Sequence, residues 1–393
     1  MSRPLDDLVV LDLSRLFCTS LCAAFLADFG ARVVRLELAP TPAPDATGWN
    51  HEADLIQRNK QSLALDVGSE QGRALLHRLL AKSDAFVTDW SVAELAALGI
   101  DYGSVCKLRP DVVYGRLSGF GPVGPDKDLP AIDELAAART GMMPILPQPG
   151  QPPVYTGAGA MHAGTMLAFG VVTALFHRAV SGEGQAVDVS LFGANMYGAA
   201  LDIQAFLAIG KGDRLLNPIS RLDVSNPMSG SLYKAADGRW VTLTMPDTDR
   251  WWPTFSKVTG LDQADPRFDT HDKRTETHRL DLIHALEAAF ARHDGAHWRR
   301  VFIEHELSAD IIERFDHPAN DPQTLANRYV IELEHPSLGR VKSLGFPIYL
   351  SEGTARLDSL APCAGQHGGA VLRDLLGSSE DQVQAWRSTG VLG

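Results

Sequence analysis

Few side chains in this sequence stand at spacings that carry chemistry by themselves. Gly119-Phe120-Gly121-Pro122-Val123-Gly124 matches the glycine spacing of a phosphate-cradling turn. Pro122 and Pro125 interrupt the stretch where a phosphate-binding helix has to open, so the segment reads as a loop after a strand. His271, His278, His284, His293 and His297 follow no ligand spacing and read as solvated helix-face residues, with no metal expected. There is no Walker A sequence, no HExxH and no GxSxG elbow. Asp133 and Asp188 are isolated carboxylates, each reading as a cap or hydrogen-bond partner and not as a general base. Cys18 and Cys22 lie four apart on one helix face and read as small buried residues. With Cys106 and Cys363 they are too scattered for a disulfide framework.

The elements that would position such residues are legible. Leu8 to Leu13 is an apolar run of strand length, Leu21 to Phe29 is helical with Gly30 as its stop, and Val33 to Leu38 is a second strand. This βαβ unit implies parallel strands with a right-handed crossover. Strands at Ser62–Asp66, Ala85–Val87 and Val112–Leu117 continue the alternation, with a helix from Glu70 to Ala81. A long helix from about Met161 to Ala179 leads through a Gly-rich turn into strand Ala186–Leu191 and a helical stretch to about Leu207. The segment Lys211–Ser231, rich in Gly, Asn, Pro and Ser, reads as a linker. Beyond it come a hairpin at Asp237-Gly238, strand Trp240–Thr244, and helices carrying Trp251, Trp252, Phe255, Ile283, Leu286 and Phe290. The tail from about Tyr329 reads as strands and loops broken by Pro336, Pro347 and Pro362.

The expected fold is therefore α/β: a Rossmann-like open sheet over residues 1–210, a linker at 211–231, a small α+β domain at 232–325, and a return to the large domain over 326–393. With 393 residues the chain has room for two domains. Its net charge of −12 argues against nucleic acid or an anionic membrane as partner. The N-terminal Met1-Ser2-Arg3-Pro4 stretch has no apolar signal region, which makes the cytoplasm the expected compartment. The apolar run Ala160–Phe176 reads as a buried helix, since it is short for a bilayer and holds His162.

Several segments, in order along nearly the whole chain, resemble the family III CoA-transferases, the CaiB/BaiF group. They include Leu26-Ala27-Asp28-Phe29-Gly30-Ala31 leading into Val34-Arg35-Leu36-Glu37, Arg58-Asn59-Lys60-Gln61-Ser62-Leu63, and Ser118-Gly119-Phe120-Gly121-Pro122. Gly182-Glu183-Gly184-Gln185, Asp265-Pro266-Arg267-Phe268, Asp321-Pro322-Gln323 and Gly365-Gln366-His367 extend the match. The resemblance implies an interlocked dimer, each chain built from a Rossmann-like domain, a small domain and long linkers. It implies CoA moving between carboxylic acids: an aspartate attacks the acyl-CoA thioester, and CoA returns to the resulting anhydride to form an aspartyl thioester. A CoA thioester is then the substrate, with no tightly bound cofactor.

By the same resemblance the nucleophilic aspartate falls at Ala160, within Gly159-Ala160-Met161-His162-Ala163-Gly164. No catalytic residue is expected at that position, since a methyl group cannot attack a thioester. His162 is a poor substitute, because an acyl-imidazole is readily attacked by water. The CoA cleft is implied at Phe17, Cys18, Leu38, Leu65, Asp66, Asp89, Trp90, Ser118, Gly119, Phe120 and Gly121. Several of these depart from the family: Cys18-Thr19-Ser20 replaces a small Ala-Gly-Pro turn, Leu38 replaces a basic residue, and Asp89 and Ser91 replace an Asn and a basic residue. The glycine-rich loop is reduced to Ser225-Asn226-Pro227-Met228-Ser229-Gly230. A racemase role is disfavoured, since its catalytic His position is Ile132 and its Asp position is again Ala160. The expectation is a non-catalytic subunit paired with a family III paralogue that keeps the aspartate, an arrangement similar to the two-subunit benzylsuccinate CoA-transferases of aromatic hydrocarbon breakdown. The alternatives are an Asp→Ala variant of a homodimeric enzyme, and a non-enzymatic acid- or acyl-binding protein with Trp90, Phe120, Trp251 and Trp252 about its pocket.

Overall fold

The computed structural model describes residues 2–40, 50–210 and 216–393. In the first half the order is β1 (Val9–Leu13), α1 (Phe17–Asp28), β2 (Arg32–Leu38), α2 (His51–Ile56), β3 (Gln61–Leu65), α3 (Glu70–Leu80), β4 (Ala85–Thr88), α4 (Val92–Ala97), α5 (Tyr102–Leu108) and β5 (Val113–Ser118). Then come α6 (Asp133–Ala138), α7 (Ala158–Ser181), β6 (Gln185–Ser190), α8 (Leu191–Gly198) and α9 (Ala200–Ile209). The six strands form one parallel sheet in the order β3-β2-β1-β4-β5-β6. The order reverses between β1 and β4, and the carboxyl ends of those two strands border the crevice where such sheets bind ligands.

Strand alternation divides the core into two layers. Val10, Val33, Ala85 and Val87 face α1 and α7, packing with Leu26, Leu167 and Val171. Leu11, Val34, Leu63 and Phe86 face the other way, onto Leu75, Leu76, Val105 and the C-terminal residues Val371 and Val383. Helix α7 packs tightly on α1 at Gly164, where a Cβ would lie 2.6 Å from the Cys18 carbonyl oxygen. A larger residue there would have to push the helices apart.

The chain divides into two compact units. One comprises Met1–Met143, Tyr155–Ala208 and Pro322–Gly393, and the other Pro144–Val154 and Ile209–Asp321. The second unit contains β7 (Ser229–Lys234), β8 (Trp240–Thr244), α10 (Thr248–Thr259), a π-helical turn at Lys273–Thr277, α11 (Arg279–Phe290), α12 (Gly295–Glu304) and β9 (Ala309–Ile312). Its antiparallel sheet β7-β8-β9 packs on Trp252, Phe255, Phe290, Trp298 and Phe302. The returning segment adds α13 (Pro322–Ala326), the hairpin β10 (Val330–His335) with β11 (Gly339–Leu344), α14 (Gly368–Leu376) and α15 (Glu380–Ser388).

Several expectations change. The tail is not only strands and loops: α14 and α15 close it, and Val371, Leu372 and Val383 are buried in the main core. The helix expected from Leu21 starts at Phe17, and the stretch to Leu207 is two helices broken at Ala199. Residues 211–215 of the expected linker lie outside the described residues, and its end at Ser229–Ser231 is already strand β7. Pro144–Val154, assigned from sequence to the large domain, groups with the second unit. There the Gln148 side chain accepts the Arg221 backbone N–H at 3.0 Å.

The apolar run Ala160–Phe176 lies in α7 and is buried on one face only, leaving Phe169 and Phe176 74% and 71% exposed. By length and composition α7 alone among the described residues could cross a membrane. Its packing against α1, β5 and β6 is that of a core helix in this fold.

Candidate active-site cleft

Thr88 ends β4, and its hydroxyl donates to the Leu13 carbonyl at 2.9 Å, tying the two strand ends together. Beyond β1 the chain turns through Ser14-Arg15-Leu16 into α1, whose N-cap, Leu16, has no side-chain acceptor for the free helix N–H groups. Asp89 supplies one from outside. Its carboxylate accepts the Arg15 N–H at 3.0 Å and the Leu16 N–H at 2.8 Å. Burial pushes the Asp89 carboxyl up from its ordinary value, and the two loop N–H groups pull against it. An internal carboxylate thus occupies a place that suits the phosphate of a bound nucleotide.

Arg15, at the same edge, is also spoken for. The Arg15 guanidinium stacks 3.7 Å over the Trp90 ring and bonds Glu94 at 2.7 Å. Glu94 in turn closes a capping box with Ser91 that starts α4. The Ser91 hydroxyl and Arg15 hold the Glu94 carboxyl down to about 2. Trp90 belongs to the sheet's core, as Trp252 does to the core of the second unit.

Under this turn lies a charged pair wholly out of water. Lys60 Nζ donates to Asp12 Oδ2 at 2.7 Å, to the Ser20 carbonyl at 2.8 Å and to Ser20 Oγ at 2.9 Å. The Gln57 amide donates to the same Ser20 Oγ at 2.6 Å. Burial lowers the Lys60 ammonium's pKa, against the pull of Asp12. Cys18 and Cys22 are buried free thiols, as their spacing suggested. Burial, then the Asp89 charge, pushes Cys18 up to about 12, so it is no thiolate nucleophile.

Ala160 is half-buried in the first turn of α7, four residues before Gly164 and so on the face turned toward Cys18. At the preceding residue, Gly159, a Cβ would fall 2.1 Å from the Asn195 side-chain nitrogen. That nitrogen donates to Asp133 Oδ1 at 2.8 Å, and the Tyr155 hydroxyl donates to Asp133 Oδ2 at 2.6 Å. The Asp133 carboxylate is therefore linked through Asn195 to Gly159, the residue before the position that lacks one. No sequence signal announces it: Asp133 is far from Ala160 along the chain, and the link runs through Asn195 on α8. Asp133 is a hydrogen-bond acceptor but no cap, because the N-cap of α6 is Ile132. Asp188 bonds Arg116 at 2.9 Å.

The other implied cleft positions divide. Phe17, Cys18, Asp89 and Trp90 gather at the β1/β4 crevice, and Ser118 ends the neighbouring strand β5. The Ser118 hydroxyl accepts the Gly121 N–H at 3.1 Å, which folds Gly119-Phe120-Gly121 back as a loop. Phe120 lies 5.9 Å from the Phe192 ring and beneath the Arg139 guanidinium. Leu38 on β2 and Leu65 on β3 pair with each other, two and three strands from β4. Leu65 bridges Leu392, and the Asp66 N–H donates to the Val391 carbonyl, so these two residues serve the C-terminal tail. In the second unit Asn226 braces the shortened loop, accepting the Met228 N–H at 2.8 Å while Met228 fills the core.

Comparison with known proteins gives this arrangement a lineage. The family model described as CoA-transferase family III matches residues 5–368. Cinnamoyl-CoA:phenyllactate CoA-transferase of Clostridium sporogenes is 28% identical, with 95% of this chain and 94% of that protein covered. Succinyl-CoA--D-citramalate CoA-transferase of Chloroflexus aurantiacus is 28% identical over 99% of this chain and 98% of that protein. The crystal structure of a CaiB/BaiF family protein from Brucella suis has the same fold, with a TM-score of 0.82 at 24% identity, covering 95% of this chain and 100% of that one. The chain belongs to CoA-transferase family III.

Proposed function

We propose that this chain is the non-catalytic subunit of a heteromeric CoA-transferase, docked to a second family III chain that carries the aspartate. The observation that carries the reading is Ala160. Transfer requires a carboxylate oxygen to attack the thioester carbonyl as the CoA thiolate leaves, and a methyl group has no electron pair to offer. Two features of the cleft support it. Asp89 already fills the anion-binding turn before α1, and Arg15 is held by Glu94 and Trp90. A third lies on the surface. Phe169, Phe176 and Val180 of α7 and Leu201 of α9 are exposed on the single chain, an apolar area that a partner would cover.

Relatives named for phenyllactate and for citramalate support an aromatic or dicarboxylic acid as acceptor, with succinyl-CoA as donor. Purification of the tagged chain from its native cells is expected to bring down a second family III chain in equal amount, together with transfer from succinyl-CoA. A stable homodimer with full transferase activity would sink the proposal.

Asp133 favours a second reading, in which this chain uses its own displaced carboxylate. Tyr155 and Asn195 aim that carboxylate beside Gly159 and leave each oxygen with a free lone pair. The two readings part on which carboxylate accepts the acyl group, one on the partner or Asp133 here.

A further inference from the structure

Away from the crevice, the returning segment encloses a cavity of about 270 Å³ against the end of α1. Its floor is a buried ion pair: Arg58 donates through Nε and a terminal nitrogen to Asp28, with the closest contact at 2.6 Å, while Asn59 adds a bond of 2.7 Å. Its walls include Ile331, Phe346, Tyr349 and Leu357. Phe346 is fixed by edge-on contacts with Phe25 and Phe29 at 5.1 and 5.2 Å.

The charges facing this space do not cancel. Asp28 is neutralised by Arg58, and Asp358 by Arg3 at 2.8 Å and Arg356 at 3.6 Å. Arg328 remains, and among the described residues its guanidinium has no hydrogen-bond or ion-pair partner. Its backbone is left-handed, with φ 54°, unusual for a residue with a side chain. A Cβ on Gly345 would fall 2.1 Å from the Arg328 carbonyl oxygen, so the strand end after β11 runs close against this turn. The turn brings the exposed Arg328 to the edge of a cavity whose lining otherwise pairs its charges and adds Ile331, Phe346, Tyr349 and Leu357, one surplus cation beside apolar surface, which suits an anionic ligand with an apolar body.

We propose that this cavity is an accessory site for a small aromatic carboxylic acid, with the carboxylate on Arg328 and the ring among Ile331, Phe346 and Tyr349. One free planar fork suits a carboxylate's two oxygens, and nothing else in the lining offers the surplus charge that a phosphate dianion needs. The volume, at the small end for ligand pockets, admits an acid of roughly ten non-hydrogen atoms. The site goes beyond the partner reading and does not depend on it.

The test is calorimetric titration of the full chain, together with any chain that co-purifies, with 3-phenylpropanoate at neutral pH and low salt. Saturable binding with a Kd on the order of 0.1–1 mM is expected. Arg328→Gln should weaken it about tenfold or more while leaving the melting temperature and any CoA transfer unchanged. The neutral analogue 3-phenylpropanol should bind at least about tenfold more weakly than the acid. Because a catalytic cleft can take the same acid, the Arg328→Gln difference is the deciding readout. No saturable binding up to about 10 mM, equal binding by the variant, or displacement of the acid by equimolar inorganic phosphate would overturn the proposal.

Discussion

On the proposed heteromeric reading, changing the partner chain's aspartate to asparagine is expected to lower CoA transfer by the complex on the order of 10³-fold or more, as for other lost members of a catalytic unit. Ala160→Asp in this chain, within the same complex, should leave the rate within about twofold, because on that reading the acyl group passes through the partner's site. In the chain without its partner, Ala160→Asp should give no transfer above the blank. The carboxylate would return, but Asp89 would still fill the anion-binding turn and Arg15 would still be held by Glu94. Steady-state transfer from succinyl-CoA, followed by loss of the donor, checks all three. Near-full activity from Ala160→Asp alone would mean that one substitution had silenced an otherwise intact homodimeric enzyme.

The second large effect is on stability. Lys60→Met leaves the Asp12 carboxyl without its ammonium partner at 0% exposure, and Asp12 Oδ1 already has no hydrogen-bond donor. Breaking one side of a buried ion pair costs about 3–5 kcal/mol, and the expected fall in melting temperature is roughly 10 °C for a unit of this size. Joining Lys60→Met to Asp12→Leu should recover most of that loss, because an apolar pair of similar volume needs no compensating charge. Denaturant titration of the two single variants and the double variant measures the coupling. A cost below about 1 kcal/mol for Lys60→Met would show that water reaches the pair.

What could be read in advance follows from where the stabilising interactions are local. The strands Val9–Leu13 and Ala85–Thr88 are short, mostly apolar runs, and buried parallel strands have that pattern. The tail helix α14 was hidden because Gly368 and Gly369 open it, and glycine weakens a helix. Burial of Val371 and Leu372 against the sheet, a contact far away in sequence, holds it in place. Helix α7 read as a buried helix because its composition is largely apolar, and composition alone does not say which face packs on the core and which stays exposed.

The cleft divides on the same principle. Ala160 and the departures at Leu38, Asp89 and Ser91 are positions on a line and were visible as such. The meeting of Asp133 with Gly159 through Asn195, and the hold of Asp89 on the loop before α1, are products of folding and have no local signature. Leu65 and Asp66 show the converse. The family resemblance implies a place for them in the CoA cleft, and folding also joins them to the C-terminal tail, a contact with no local signature.

The most direct test is to find where the acyl group goes. The complex is mixed with succinyl-CoA, quenched during turnover, and each chain is mapped by peptide mass spectrometry for an acyl or CoA adduct on a carboxylate. The adduct is predicted on the partner's aspartate, with this chain unmodified throughout. An adduct on Asp133 would contradict the account and make this chain a transferase in its own right.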